Sequence, residues 1–186
     1  MGSRNRKINT SFSQQFVAIS KDIGVIVLLL SFLFLMQQFL VRKPPVPSDG
    51  EWYTVVKVID GDTIDVEKDG LKERIRLVGI DTPESVSPFE PIECYGVEAS
   101  EYTKSLVLGK KVQLLVDQKQ GDEDQYARKL RYVFLEDQSH VNYQLVEQGF
   151  AHAYKKVSSD YTTLFLQAEK EARNAQRGGW GVCVDF

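Results

Sequence analysis

Three patterns of apolar and polar positions divide the chain. Residues 23–41 are apolar apart from Gly24, Ser31, Gln37 and Gln38. From residue 51 onward short β-rich runs take over. Residues 52–59 and 63–66 flank Asp60-Gly61-Asp62, and an Asp-Gly between two such runs predicts a hairpin. Lys68-Asp69-Gly70 predicts a second turn, and residues 73–80 a third strand. In that strand Ile75, Leu77 and Gly79 alternate with Arg74, Arg76 and Val78, so Arg76 projects from the face opposite Ile75 and Leu77. Residues 81–95 carry Pro83, Pro88 and Pro91 without any period and read as a loop. The third pattern is helical. Val97, Ala99, Tyr102 and Leu106 predict a helix over 97–108 that stops at Gly109. Strands follow at 111–116 and 130–135, with a polar loop at 118–125 between them. Two more helices are predicted, 141–148 before Gly149 and 161–176 before Gly178-Gly179. Three meandering strands, a helix, two strands and then helices match a mainly β, α+β fold. The expected architecture is a five-stranded barrel of the OB type with about three helices, preceded by one transmembrane helix.

The apolar run of 19 residues is close to the ~20 that a helix needs to cross the hydrocarbon core. It has no polar face, unlike a buried core helix. It is long for a signal peptide, and Arg42, Lys43 and Pro44-Pro45 come after it instead of a small-x-small cleavage site. Four basic residues precede it (Arg4, Arg6, Lys7, Lys21) and two come after. The expected topology is an uncleaved signal anchor. Residues 1–22 then lie in the cytoplasm, 23–41 in the bilayer and 42–50 form a proline-stiffened linker, with a domain at 51–186 outside the membrane.

Composition then bounds that domain. Residues 51–186 hold 17 Lys+Arg against 24 Asp+Glu, a formal charge of −7. A passive nucleic-acid coat would need a basic surface, so the charge argues against that class, whereas it leaves room for an enzyme with one small positive site. Two cysteines and two histidines are too few for a Cys/His zinc cage. Cys94 and Cys183 are either two unrelated thiols or a bridge. A bridge would close a long loop and would persist outside the cytoplasm, which favours pairing.

Candidate chemistry gathers in three segments: Ile59-Asp60-Gly61-Asp62-Thr63, Arg76 to Glu84, and Asp122 to Arg128. A meander can bring Asp62, at the end of the first hairpin, near Asp81 and Glu84, at the end of the third strand. Carboxylates so grouped are hard oxygen ligands suited to Ca²⁺ or Mg²⁺. Arg76 and Arg128 nearby suit a phosphodiester, whose oxygens a guanidinium grips bidentately.

The motifs IDGDT (59–63), RIRLVGIDTPE (74–84), YGVEAS (95–100), DQYARKLRYVF (124–134), VNYQLVEQGFA (141–151) and GGWG (178–181) stand in an order and spacing that resembles the staphylococcal nuclease (thermonuclease-like) family from about Trp52 to about Trp180. The resemblance implies an OB-fold, Ca²⁺-dependent endonuclease acting on DNA and RNA. It implies Asp62, Asp81 and the Thr82 carbonyl as metal ligands, Glu84 on the attacking water, and Arg76 and Arg128 on the scissile phosphate. Tyr126 falls where the family has a tyrosine near the nucleotide. For Tyr126 and Tyr154 a stacking platform for bases stands beside a plain packing role. Gln125 replaces a basic residue common in the family, and residues 85–93 carry no lysine, so positive charge is missing from the substrate side. The alternative is a non-catalytic, membrane-anchored OB module that binds nucleic acid or protein. No obligate protein partner is implied.

Other residues carry plainer expectations. Asp60 reads as a turn former and Asp122-Glu123-Asp124 as a solvated loop. His140 and His152 read as surface or core polar groups. Tyr53, Tyr132, Phe134 and Phe150 read as core, and Phe165 and Leu166 as packing.

Overall fold

The computed structural model describes residues 27–32, 50–85 and 92–186. Residues 27–32 are helical and are labelled α1. The rest of the expected span 23–41, the 1–22 tail and most of the 42–50 linker lie outside the described residues. Among the described residues no helix is long and apolar enough to cross a membrane. The barrel, its helices and the candidate site all belong to one compact unit, Pro44–Phe186.

Five strands close a barrel in the order β1-β2-β3-β6-β5, from β1 (Trp52–Asp60), β2 (Thr63–Lys68), β3 (Leu71–Leu77), β5 (Lys111–Val116) and β6 (Lys129–Leu135). The β2–β3 hairpin turns on Asp69 and Gly70, at φ 51° and 80°. Positive φ at both central residues matches the twist of the flanking strands. The β1–β2 ladder slips twice, between Val55 and Lys57 and between Val58 and Asp60. Such bulges coil a sheet sharply enough for it to close. Closure comes from a parallel pair, with Ile75, Arg76 and Leu77 of β3 opposite Lys129, Leu130 and Arg131 of β6.

The expected third strand is shorter than its hydrophobic pattern. It stops at Leu77, and β4 (Ile80–Asp81) leaves the barrel to pair with β7 (His152–Ala153). Gly79 causes the break. Its φ is +78°, and a Cβ there would meet Phe165 Cε2 and Ser159 Oγ at 2.8 Å. Among the described residues α2 (Gly96–Val107) packs on β1 and α3 (Val141–Glu147) on β6, while α4 (Thr162–Asn174) packs on α3 and β7 and the single-turn α5 (Gly179–Val182) on α4.

The core is the barrel interior and the α3–α4 side. Val55, Ile64, Val66, Ile75, Leu77, Val112, Tyr132 and Phe134 are fully buried, as is Phe165, whereas Leu166 turns outward and Tyr53 and Phe150 are half-buried at the core edge. Buried Asn142 ties α3 to the barrel. Its carbonyl accepts from the Val133 N–H at 3.0 Å, and its amide donates to the Val78 carbonyl at 3.0 Å. That bond holds the backbone where the chain leaves β3 for β4, which is where the candidate site begins. The cysteines are bonded, Cys94 to Cys183, with Cα atoms 6.0 Å apart.

Candidate active site

The chain turns twice near one point, at Gly61 between β1 and β2 and at Gly79 between β3 and β4. The two turns lie against each other. A Cβ on Gly61 would meet Thr82 Oγ1 at 2.7 Å, so only glycine lets the β4 end pack there. The Thr82 N–H donates to Asp62 Oδ2 at 3.2 Å, and the Leu77 N–H donates to the Asp62 carbonyl at 2.8 Å. The two acid-bearing segments thus meet, as expected.

Arg76 is their hinge pin. Its Nη1 donates to the Leu77 and Ile80 carbonyls, each at 3.0 Å, which fixes the guanidinium plane across the Gly79 turn. Its Nη2 lies 2.8 Å from Asp62 Oδ2 and 2.7 Å from Asp81 Oδ1. Arg128 is held separately. Asp124 accepts from the backbone N–H groups of Tyr126 and Arg128, and its Oδ2 accepts from Arg128 Nε at 2.7 Å. Burial pushes the Asp124 carboxyl up, but those donors outweigh it and hold it below the usual range. Arg128 Nη1 reaches Thr63 Oγ1 at 3.4 Å, and that hydroxyl donates to Asp62 Oδ1 at 3.0 Å. Both arginines therefore connect to Asp62. The acidic run is the solvated loop expected, and it is also ion-paired: Asp122 and Glu123 pair with Lys129, and Asp122 also with Arg131.

Glu84 sits on the other side of the cluster. Burial raises its pKa to about 7, helped by the charge of Asp60, a hydrogen bond shared with Asp60, and the charges of Asp62 and Glu93. Asp60 is thus more than a turn former. It is 8 % exposed, and its Oδ1 accepts from the Gly61 N–H at 2.8 Å and from the Ser85 hydroxyl. Burial also raises Asp62, more strongly than the Arg76 charge lowers it.

Arg76, Asp81, Tyr126, Arg128, Tyr154 and Lys156 line a cavity of about 540 Å³. Tyr126 is 70 % exposed with the Arg128 guanidinium 5.3 Å from its ring centre, and Lys156 stands 6.0 Å over Tyr154. Asp62 and Glu84 flank this cavity and do not line it. Pattern along the chain does not single out Lys156, Asp60 or Asp124. The four-residue step from Asp124 to Arg128 is the one available signal for the last. His152 is half-buried and lies 3.7 Å from Glu169, while His140 is buried among aromatic rings, in line with their plain reading.

A divalent cation suits this chemistry. Asp60, Asp62, Asp81 and Glu84 form an acidic cluster met directly by one guanidinium, and the buried Thr82 Oγ1 has no hydrogen-bond partner among the described residues. Among the described residues no three His, Cys, Asp or Glu side chains form a ready cage. A cation would therefore rest on two carboxylates with backbone and solvent oxygens, a hard-ion arrangement.

Comparison with known proteins identifies the family. Residues 74–181 match the family described as Staphylococcal nuclease homologue. The chain is 39 % identical over 163 residues to a thermonuclease of Staphylococcus intermedius, covering 84 % of this chain and 95 % of that protein. It is 36 % identical over 164 residues to a thermonuclease of Staphylococcus hyicus, with the same two coverages. It is 37 % identical over 130 residues to Endonuclease YncB of Bacillus subtilis (strain 168), covering 68 % of this chain and 60 % of that protein. With its closed five-stranded barrel, its paired turns at Gly61 and Gly79 and these matches, the chain belongs to the staphylococcal nuclease family.

Proposed function

We propose that this nuclease hydrolyses DNA and RNA in a Ca²⁺-dependent reaction, with water attacking phosphorus in line. One observation carries the reading: Asp62, Asp81 and Arg76 converge within hydrogen-bonding distance, with Glu84 on one flank and Arg128 on the other. The Asp62 and Asp81 carboxylates and the Thr82 carbonyl would hold the cation. When bound, Ca²⁺ supplies positive charge to the phosphate oxygens. Glu84 holds the attacking water and takes its proton, a task for which a carboxylate titrating near neutrality is suited. Arg128 is aimed by Asp124 and binds the phosphate oxygens from the cavity side, where the positive charge it offers matches the charge that develops. Arg76 bridges Asp62 and Asp81 through Nη2, offsetting their mutual repulsion, and its Nε–H is left to offer the phosphate. Tyr126 and Tyr154 offer flat faces for bases along the same cavity. A non-catalytic binding module has no use for this complete set of charged groups.

The domain is further proposed to be tethered outside the membrane through residues 23–41. The length of that apolar run, the basic residues before it and the Cys94–Cys183 bridge support this, since disulfides persist outside the reducing cytoplasm. Two measurements test the whole reading. The full chain is incubated with single- and double-stranded DNA and RNA in Ca²⁺, in Mg²⁺ and in chelator. Cleavage should need Ca²⁺ and should collapse in Asp62→Ala, and full activity in chelator would refute the metal assignment. Protease added to spheroplasts should remove the domain, and its protection would refute the topology.

A further inference from the structure

We propose that Glu93, held in place by the Cys94–Cys183 bridge, is a positioning residue for Glu84. The proposal rests on the reading of Glu84 as the residue that holds the attacking water. Both backbone polar groups of Glu84 are engaged by Glu93. The Glu84 N–H donates to Glu93 Oε2 at 2.9 Å, and the Glu93 N–H donates to the Glu84 carbonyl at 3.0 Å. The opposite side is walled by α2. A Cβ on Gly96 would meet the Glu84 carbonyl oxygen at 2.4 Å, and the Gly96 N–H donates to the Glu93 carbonyl at 3.1 Å. Glu84 is therefore gripped through its main chain, which leaves its carboxylate free to face Asp60 and Asp62.

The next residue, Cys94, carries the clamp into the far end of the chain. Its partner Cys183 donates its N–H to the Gly179 carbonyl at 2.8 Å, in α5. There Gly179 packs against the Phe186 ring, so closely that a Cβ would fall 2.1 Å from it. Glu93 gains little stability from its location. It is exposed, no ion pair to it exists among the described residues, and its negative charge adds to an acidic cluster. Replacing it should therefore be electrostatically favourable for folding, which leaves the grip on Glu84 as the reason for a carboxylate there. A misplacement of about 1 Å at a reacting group can cost on the order of 100-fold in rate, so a clamp on the main chain of Glu84 acts on kcat.

The test uses the full chain with a single-stranded oligonucleotide under conditions in which the unaltered protein cleaves it. Glu93→Ala should lower kcat about tenfold or more with KM within about twofold, because substrate binding does not pass through Glu84. Glu93→Gln should recover most of the rate, because its amide oxygen accepts the same N–H. In the Glu84→Gln background, Glu93→Ala should have no further effect, as two residues acting through one group are not additive. The Cys94→Ala/Cys183→Ala pair should lower kcat in the same direction at a temperature where circular dichroism shows it folded. Hydrogen exchange at the Glu84 amide, read without substrate, should speed up in Glu93→Ala. Undiminished cleavage by Glu84→Gln would overturn the role of Glu84 and the proposal with it. A Glu93→Ala effect that persists in full in the Glu84→Gln background, or an unchanged kcat in Glu93→Ala, would overturn the proposal alone.

Discussion

His140 gives the fold a calculable weakness toward acid. It is 5 % exposed, stacked on Phe134 with ring centres 4.5 Å apart, and ringed by Tyr132, Tyr161 and Phe165. Neither ring nitrogen has a hydrogen-bond partner among the described residues. Burial pushes its pKa down to about 3, against about 6.5 in an unfolded chain. Between those values the unfolded state binds the proton and the folded state does not, so stability falls as pH falls. At pH 4.5 the loss from this one group is about 3 kcal/mol, and it reaches about 4 kcal/mol at pH 3. A domain of this size holds ~5–15 kcal/mol in total, so the effect is large. The assay is urea unfolding followed by tryptophan fluorescence at pH 7.5, 6.5, 5.5 and 4.5, for the unaltered chain and for His140→Phe. Phenylalanine keeps the stacking and removes the titration. Glu84, with its raised pKa, works in the opposite direction, losing stability as pH rises from about 4.5 to about 7, but it is present in both proteins and cancels. The two stability curves should diverge by about 1.4 kcal/mol per pH unit below pH 6. Parallel curves would show that the imidazole has a proton acceptor or water that the packing does not reveal, and the argument would be wrong.

Three more outcomes rest on features of the same unit. Cys183→Ser opens a loop spanning 89 residues and should cost about 4 to 5 kcal/mol in urea unfolding, and an unchanged midpoint would refute it. Tyr126→Ala should weaken oligonucleotide binding by about 1–3 kcal/mol with kcat nearly intact, since its exposed ring offers a stacking face; a fall in kcat alone would count against that role. The salt dependence of substrate binding should be shallow, with a log–log slope of about −2, because Arg76, Arg128 and Lys156 supply the positive charge lining the cavity; a slope of about −5 or steeper would mean a basic surface elsewhere.

What the sequence made legible depended on whether a residue acts through local pattern or through distance. Asp62, Asp81, Glu84, Arg76 and Arg128 stand in short motifs beside turn residues, and turns are written locally. The alternation that buried Ile75 and Leu77 also placed Arg76 on the other face. The same alternation misled at Gly79, where a positive φ ends the strand; glycine tolerates either conformation, and the deciding neighbours, Ser159 and Phe165, are far along the chain. Asp60 looked like a turn former because its turn role is real, while its contacts to Ser85 and Glu84 come from the second acidic segment. Glu93 and Lys156 carry no motif at all. Each matters only through what the fold sets beside it. The net charge of −7 was correct as a sum, yet it concealed a cavity edged by three cations.

The parallel β3–β6 pair has a kinetic consequence. Arg76 lies in β3, and Arg128 immediately precedes β6; the pairing of Arg76 with Leu130 sets them on one cavity. All of α2 and β5 lies between them in the chain, and parallel pairing across so long a connection is a slow, late step. Without that pair nothing in the sheet sets the two arginines on one cavity. Cleavage activity should therefore appear with the last folding phase and not in proportion to secondary structure. A chain still in transit through a cell, short of barrel closure, would carry every side chain proposed for cleavage and yet leave the nucleic acid around it intact.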